Sequence, residues 1–309
     1  MKEILVVAGP TAVGKTEYSI KLAQRLDGEI VSCDSMQLYK FMDIGSAKPT
    51  EEERALVKHY LVDEIDPREP FSVAEYQKRA KAAIAQIHEK GKLPVISGGT
   101  GLYLNSLLYE MDFSSPPRKD GYRKKLELLA DMQGKEAVYR LLEEKDPDAA
   151  ARIHPNNTKK IIRALEAVET TGRGIPAFTE VNTPTKDYRP RLIGLTRDRG
   201  ELYNRINARV EILMERGLLA EVKGLLDMGL SEDNISMKGI GYKELICYLQ
   251  GEYDLDTAVA KIQQNTRNYA KRQLTWFRRY DRINWFDLSL YESSEKALED
   301  MILWLDKNK

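Results

Sequence analysis

The apolar positions of the first hundred residues change period several times. Ile4-Leu5-Val6-Val7-Ala8 is a short continuous apolar run with β-branched residues, and it predicts a buried strand over 3–8. Behind it Tyr18, Ile20, Leu22, Ala23 and Leu26 recur with Lys21, Gln24 and Arg25 between them, which predicts a helix over 15–26. A second apolar run predicts a strand over 29–33, followed by a long loop. Helix 72–90, strand 93–97 and helix 100–109 continue the alternation. Ser72-Val73-Ala74-Glu75 reads as a capping box, and Gly91 closes the helix it opens. Strands alternating with helices imply an α/β fold, a parallel sheet wrapped by helices.

After residue 110 the texture changes. Ser114-Ser115-Pro116-Pro117 reads as a linker. The pattern is then helical over 120–132, 134–145 and 157–171, with Asp146-Pro147 and His154-Pro155 as breaks. Pro176, Pro184 and Pro190 mark a loop over 173–190, and Arg191-Leu192-Ile193-Gly194-Leu195 resumes as strand. Helices at about 199–216, 217–229, 239–250 and 254–280, a strand at 283–287 and a final helix complete the chain. The expected organisation is a sheet-bearing core of 1–115 and 191–309, with a helical C-terminal part, interrupted by an all-α insertion domain at 116–190.

The whole-chain balance narrows the partners. A length of 309 residues suffices for a large domain plus a smaller one, and the formal net charge is zero, so an anionic partner must be met by local patches. Cys33 and Cys247 are the only cysteines, in no metal-ligand spacing, as expected in a reducing cytoplasm. The N-terminus runs directly into the first strand, leaving no room for a signal peptide, and no apolar run approaches the ~20 residues of a membrane helix. Neither an internal repeat nor a low-complexity tract is present.

The stretch from Gly9 to Thr16, Gly9-Pro10-Thr11-Ala12-Val13-Gly14-Lys15-Thr16, satisfies G-x-x-x-x-G-K-[ST] between a strand and a helix. In that context the loop N–H groups and the helix N-terminus face an anion, Lys15 adds a point charge, and Thr16 offers a hydroxyl to Mg2+. The motif makes the core P-loop NTPase-like. ATP or GTP is the usual ligand, but that inference needs an apolar strand ending in an acid that holds the Mg2+. Leu93-Pro94-Val95-Ile96 ends instead in Ser97-Gly98-Gly99-Thr100-Gly101. Asp34, at the end of the second strand, is the one well-placed carboxylate, and it reads as a general base or a water-mediated magnesium contact beside an alternative role as a turn residue.

Three further segments carry candidate chemistry. Gly98-Gly99-Thr100-Gly101 lets backbone approach a ligand, though a tight strand-to-helix turn needs the same glycines. Arg205 and Arg209 lie at i, i+4, a spacing suited to a phosphate clamp and equally to a solvated face paired with Glu201 and Glu211. Lys159, Lys160 and Arg163, and a stripe of Arg267, Lys271 and Arg278 with Arg272 and Arg279 beside it, suggest a nucleic-acid backbone, whereas the interleaved Tyr269, Trp276 and Phe277 read as core.

Taken together, these blocks resemble the tRNA dimethylallyltransferases, the isopentenyl transferases of tRNA, in their short bacterial form without a C-terminal zinc finger. The resemblance rests on Gly9–Thr16; Asp34-Ser35-Met36-Gln37-Leu38-Tyr39-Lys40 with Met42–Pro49; Gly98–Tyr103; Arg152-Ile153-His154-Pro155-Asn156 with Arg163-Ala164-Leu165-Glu166; Leu202-Tyr203 with Arg205-Ile206 and Arg209-Val210; Gly239–Glu244; and Thr266-Arg267 with Lys271-Arg272-Gln273. Val13 and Ser46 depart from the serine and threonine common at those positions. The resemblance implies a magnesium-dependent cytoplasmic transferase and a monomer. It would move a dimethylallyl group from dimethylallyl diphosphate to the exocyclic N6 amine of the adenosine 3′ of the anticodon, releasing pyrophosphate. It assigns the diphosphate to Gly9–Thr16, leaving-group stabilisation to Lys15, Thr16 with Mg2+, and Arg205, and the base to Asp34. The tRNA anticodon stem-loop would meet Asp34, Ser35, Met36, Gln37, Thr100, Arg123, Lys159, Lys160, Ile161, Ile162, Arg163, Gly239, Ile240, Gly241, Tyr242, Lys243, Arg267, Lys271 and Arg272, with the target base flipped from its stack. Closure of the insertion over the RNA would keep water from the allylic carbon. A P-loop small-molecule kinase and an RNA-binding NTPase are the competing readings, and the missing acid after Ile96 weighs against both.

Overall fold

The computed structural model describes residues 1–111, 120–172, 174 and 183–308, so the expected linker at Ser114–Pro117 lies outside the described residues. Six strands form one sheet: β1 (Lys2–Ala8), β2 (Gly28–Ser32), β3 (His59–Tyr60), β4 (Leu93–Gly98), β5 (Tyr188–Thr196) and β6 (Ile283–Asp287). Their order is β3-β2-β4-β1-β5-β6, and every neighbouring pair is parallel. β1 is interior, with Leu5 opposite Val95 on one side and Arg191 on the other. A strand covered on both faces has no polar alternation, and Ile4–Ala8 are each at most 1% exposed.

The helices of this sheet-bearing unit are α1 (Lys15–Arg25), α2 (Glu51–Leu56), α3 (Val73–Glu89) and α4 (Gly101–Leu108) before the excursion to the helical unit. That excursion supplies α5 (Asp120–Gln133), α6 (Lys135–Lys145), α7 (Pro147–Arg152) and α8 (Thr158–Thr171). α9 (Arg199–Glu215), α10 (Leu218–Asp227), α11 (Tyr242–Leu249), α12 (Leu255–Phe277) and α13 (Ser294–Lys307) follow β5. The sheet packs Leu5, Val7, Val95, Ile193 and Leu195 against Leu22 of α1, Ile206 of α9, Ala270 of α12 and Met301 of α13.

The local elements differ from the sequence expectation where the apolar signal is weak. The long loop after β2 contains α2 and the two-residue β3. No residue of α2 is buried, so it has no apolar stripe; a reciprocal cap between Thr50 and Glu53 holds its start. At Ser72 only half of the expected box forms: its hydroxyl accepts from Glu75 N, while the Glu75 carboxylate turns to Arg79 at 2.8 Å. β5 begins at Tyr188, three residues before Arg191, and takes in Pro190 where β6 has not yet begun to pair. The expected helix 239–250 starts at Tyr242, after a 3-10 turn over Ser236–Lys238. Asp146-Pro147, expected as a break, opens α7 with the Asp146 carboxylate as its cap.

The chain divides into two compact units, one of Met1–Leu108 with Thr185–Lys309 and one of Tyr109–Pro184. The second has its own core of Leu126, Val138, Leu142, Ala149, Ile161, Ile162 and Leu165 from α5 to α8. Among the described residues no helix is long and apolar enough to cross a membrane.

Candidate active site

A cleft of about 570 Å³ opens in the sheet-bearing unit, with Ser32, Ser97 and Gly98 from the carboxyl ends of β2 and β4 in its wall. Open parallel sheets place ligands at that end, because the loops there approach a common point from several strands. The Gly9–Thr16 loop contributes Thr11, Ala12, Gly14, Lys15 and Thr16 to the wall, and Asp34, Gln37, Arg205, Arg209 and Arg216 are among its other charged and polar groups.

Lys15 Nζ donates to the Pro10 carbonyl at 2.8 Å, across its own loop. The residue as a whole is only half-buried, but its ammonium is desolvated there, and burial pushes its pKa from the ordinary 10.5 down to about 8 against the opposing pull of Asp34. α9 and the residues just before it brace the loop: Arg205 Nε of α9 donates to Ala12 O, and Arg197 Nε, two residues ahead of the helix, to Val13 O, both at 3.0 Å. Arg205 is exposed, as a solvated face would have it, and acts electrostatically on Glu201, but neither expected glutamate hydrogen-bonds to Arg205 or Arg209 among the described residues. Glu201 pairs with Arg197, and Glu211 accepts from Gln263 at 3.5 Å. Arg209 makes no hydrogen bond or ion pair among the described residues; burial lowers its pKa, and Asp34 and Arg205 act on it in opposite directions. A guanidinium with open donors beside a P-loop is suited to binding an anion.

Asp34 is both a turn residue and a wall of the cleft. Its Oδ1 accepts from Met36 N at 2.9 Å and Gln37 N at 3.4 Å, while Oδ2 has no hydrogen-bond partner among the described residues. Thr100 anchors the same turn, accepting from Ser35 N at 3.0 Å and donating its own N–H to Cys33 O at 3.1 Å. Gln37 bridges Ser32 and the Ala47 carbonyl, so loop 43–50 joins the wall. The absent acid after Ile96 has a steric counterpart: a Cβ at Gly98 would stand 2.1 Å from the Cys33 carbonyl oxygen.

The other candidates are placed as follows. Tyr242 is 1% exposed, donating its hydroxyl to Glu221 at 2.7 Å, and Met36 lies against Gly239. Gly241 is buried, Ile240 is half-buried and Lys243 is exposed. On α12, Lys271 and Arg272 are exposed, and Arg272 lies over the Tyr269 ring; half-buried Arg267 donates to Asn207 Oδ1 at 2.6 Å. In the helical unit Lys159, Lys160 and Arg163 are exposed, whereas Ile161 and Ile162 are 0% and 4% exposed and serve its core. Arg123 pairs with Glu166 at 3.4 Å.

Several groups around the cleft do not stand out in the sequence as site residues. Tyr269 lines it, though its spacing reads as core. Glu221 accepts from Asp43 N, Ile44 N and Gly45 N at 2.8, 2.7 and 3.0 Å, clamping loop 43–50. Lys48 is buried between Asp43 and Asp63 rather than offered to a ligand. Gln273 joins two loops of the cleft. Glu221 and Gln273 depend on contacts between residues 174 to 262 positions apart, which no local pattern encodes.

Fold and cleft together define a P-loop protein with a carboxylate, Asp34, in the same cleft as the loop. Comparison with known proteins narrows this class. The family model described as IPP transferase matches residues 37–280. A tRNA dimethylallyltransferase of Alkaliphilus oremlandii is 53% identical over 298 residues, 96% of this chain and 95% of its own. The crystal structure of the full-length tRNA isopentenylpyrophosphate transferase of Bacillus halodurans is 43% identical, with a TM-score of 0.75 over 99% of this chain and 97% of its own. A eukaryotic dimethylallyltransferase captured acting on tRNA is 29% identical, with a TM-score of 0.83 over 99% of this chain and 80% of its own. The chain belongs to the tRNA dimethylallyltransferases, a family of prenyl transferases.

Proposed function

We propose that this chain transfers a dimethylallyl group from dimethylallyl diphosphate to the N6 amine of the adenosine 3′ of the anticodon in tRNA, with pyrophosphate leaving. Family membership supports the reaction. The observation that supports these residues as its site is one cleft holding Lys15, Thr16, Arg205 and Arg209 together with the half-free carboxylate of Asp34. A kinase or NTPase reading is not favoured by any of the relatives compared.

The diphosphate lies on the N–H groups of the Gly9–Thr16 loop, where the N-terminus of α1 adds partial positive charge. As the bond between the allylic carbon and oxygen breaks, negative charge grows on the leaving group, and Lys15, Arg205 and Arg209 stabilise it. The attacking amine is a weak nucleophile because its lone pair is shared with the purine ring. Asp34 Oδ2 removes its proton as the new C–N bond forms, while the amides of Met36 and Gln37 hold the carboxylate in place through Oδ1. Ser35, Met36, Gln37 and Thr100 frame the flipped base, and the exposed cations Lys271 and Arg272, with Lys243, meet RNA phosphates. Lys159, Lys160 and Arg163 do the same from the helical unit, as does Arg123.

Mg2+ fits the donors present. Among the described residues no group of three or more His, Cys, Asp or Glu forms a cage; the cleft offers the Thr16 hydroxyl and Asp34, while its other carboxylates, Glu17 and Glu53, pair with Lys21 and cap α2. That is the sparse oxygen set of an ion that keeps its waters and takes most other ligands from phosphate. Thr16 and, through water, Asp34 would hold the ion, which would supply neutralisation of the diphosphate charge. A monomer acting in the cytoplasm completes the reading. The test is incubation with labelled dimethylallyl diphosphate, Mg2+ and unmodified tRNA. Label should appear in the RNA; ATP hydrolysis without labelled RNA would overturn the proposal.

A further inference from the structure

Gln273 is 5% exposed, and both ends of its amide are committed. Its Oε1 accepts from Thr11 N, in the Gly9–Thr16 loop, at 2.9 Å. Its Nε2 donates to Gly99 O, in the turn that carries Thr100, also at 2.9 Å. A primary amide carries a carbonyl acceptor and an NH2 donor on one rigid plane, so it accepts from one backbone and donates to another at a fixed separation. The neighbours on the same face of α12 reinforce the link. Tyr269, one turn earlier, lines the cleft, and Trp276, almost one turn later, lies so close to Gly101 that a Cβ there would be 2.3 Å from its ring. Thr100 is in turn bonded to Ser35 N and Cys33 O on either side of Asp34. A continuous path therefore runs from the diphosphate loop through Gln273 to the turn that carries the base.

We propose that Gln273 is a positioning residue for prenyl transfer: it sets the separation between the loop that holds the leaving group and the turn that holds the amine. This rests on the reaction proposed above. Neither half-site needs Gln273 for its own ligand, since the loop amides and Lys15 hold the diphosphate and Asp34 with Thr100 holds the base. What Gln273 supplies is register between them, and a displacement of about 1 Å between reacting groups costs roughly 100-fold in rate.

The test compares Gln273→Ala, Gly99→Ala and the double variant with the unaltered chain. It measures single-turnover transfer to tRNA and the separate dissociation constants for dimethylallyl diphosphate and tRNA. Gly99→Ala attacks the same link from its other side, because the new Cβ would stand 2.2 Å from Gln273 Nε2 and no left-handed φ adds strain of its own. Each single variant should lose about 30-fold or more in transfer rate, with each dissociation constant within about threefold. The double variant should lose no more than Gln273→Ala alone, since the clash has gone. Gln273→Met, of similar length with neither the NH2 donor nor the carbonyl acceptor, should show the same loss and serves if Gln273→Ala does not fold. Losses that multiply in the double variant, or that reside in the dissociation constants, would overturn the inference. An unaltered chain that labels no tRNA would instead sink the reaction on which it rests.

Discussion

Lys15 faces the cleft as a cation stripped of much of its water. Its pKa near 8 means that part of the population is neutral at mildly alkaline pH, and a diphosphate must then bind with uptake of a proton. Affinity for dimethylallyl diphosphate should therefore weaken above pH 8, by at most about tenfold per unit, in titrations from pH 7 to 10. The stability sign is the opposite. The folded pKa lies below the unfolded one, so between about 8 and 10.5 the unfolded chain holds more protons and the contribution of Lys15 to stability rises with pH. Lys15→Ala should lower turnover by about 100-fold or more, because the charge that stabilises the leaving group is removed. Asp34→Ala should lower it by roughly 10²–10⁴-fold while leaving diphosphate binding intact. An Asp34 variant that keeps its rate and loses magnesium-dependent diphosphate binding would make Asp34 a metal residue instead.

Elements act through what they brace. α10 holds loop 43–50 by a single carboxylate, Glu221, which takes three backbone N–H groups and the Tyr242 hydroxyl. Glu221→Ala should cost on the order of 2 kcal/mol in chemical denaturation and raise the tRNA dissociation constant, since Tyr242 and Gly239 are released with the loop. α12 divides its faces: Gln273 points to the cleft, and Lys271 and Arg278 are exposed. Replacing Lys271 and Arg278 together should weaken tRNA binding and flatten its salt dependence. The log–log slope should fall by about 0.7–0.9 for each phosphate no longer neutralised, with the saturated rate unchanged. An unchanged slope in titrations at several salt concentrations would make the stripe an ordinary solvated face. Arg267, committed in part to Asn207, is better left in place. The sequence makes some of these elements legible and hides others. β1 and the Gly9–Thr16 loop are readable because a two-faced strand and a phosphate loop are local patterns. α2 is not, because it buries no residue. Gln273 is visible only as part of a motif, since its partners lie 262 and 174 residues away.

At the scale of the molecule, the zero net charge and the local placement of cations act together. Arg205, Arg209 and Arg216 gather at the cleft, while Lys159, Lys160 and Arg163 gather on α8 of the other unit. The sheet order carries a further consequence. β1 is made first, yet its neighbours are β4 and β5, and β5 begins only at Tyr188. On a ribosome, β2, β4 and β1 can close once Gly98 is available, but the far edge of β1 then waits for about ninety more residues, roughly 5–20 s at ordinary synthesis rates. During that interval an apolar strand presents unpaired N–H and C=O groups. A chain halted near residue 185 should accordingly aggregate or be retained by chaperones, and one halted near residue 200 should do so less at β1 but still at β5, whose outer edge stays open until β6 pairs with it; a chain that runs through β6 and α13 should not. The order of the strands thus makes the birth of this protein, and not only its finished form, dependent on the strand that follows the helical excursion.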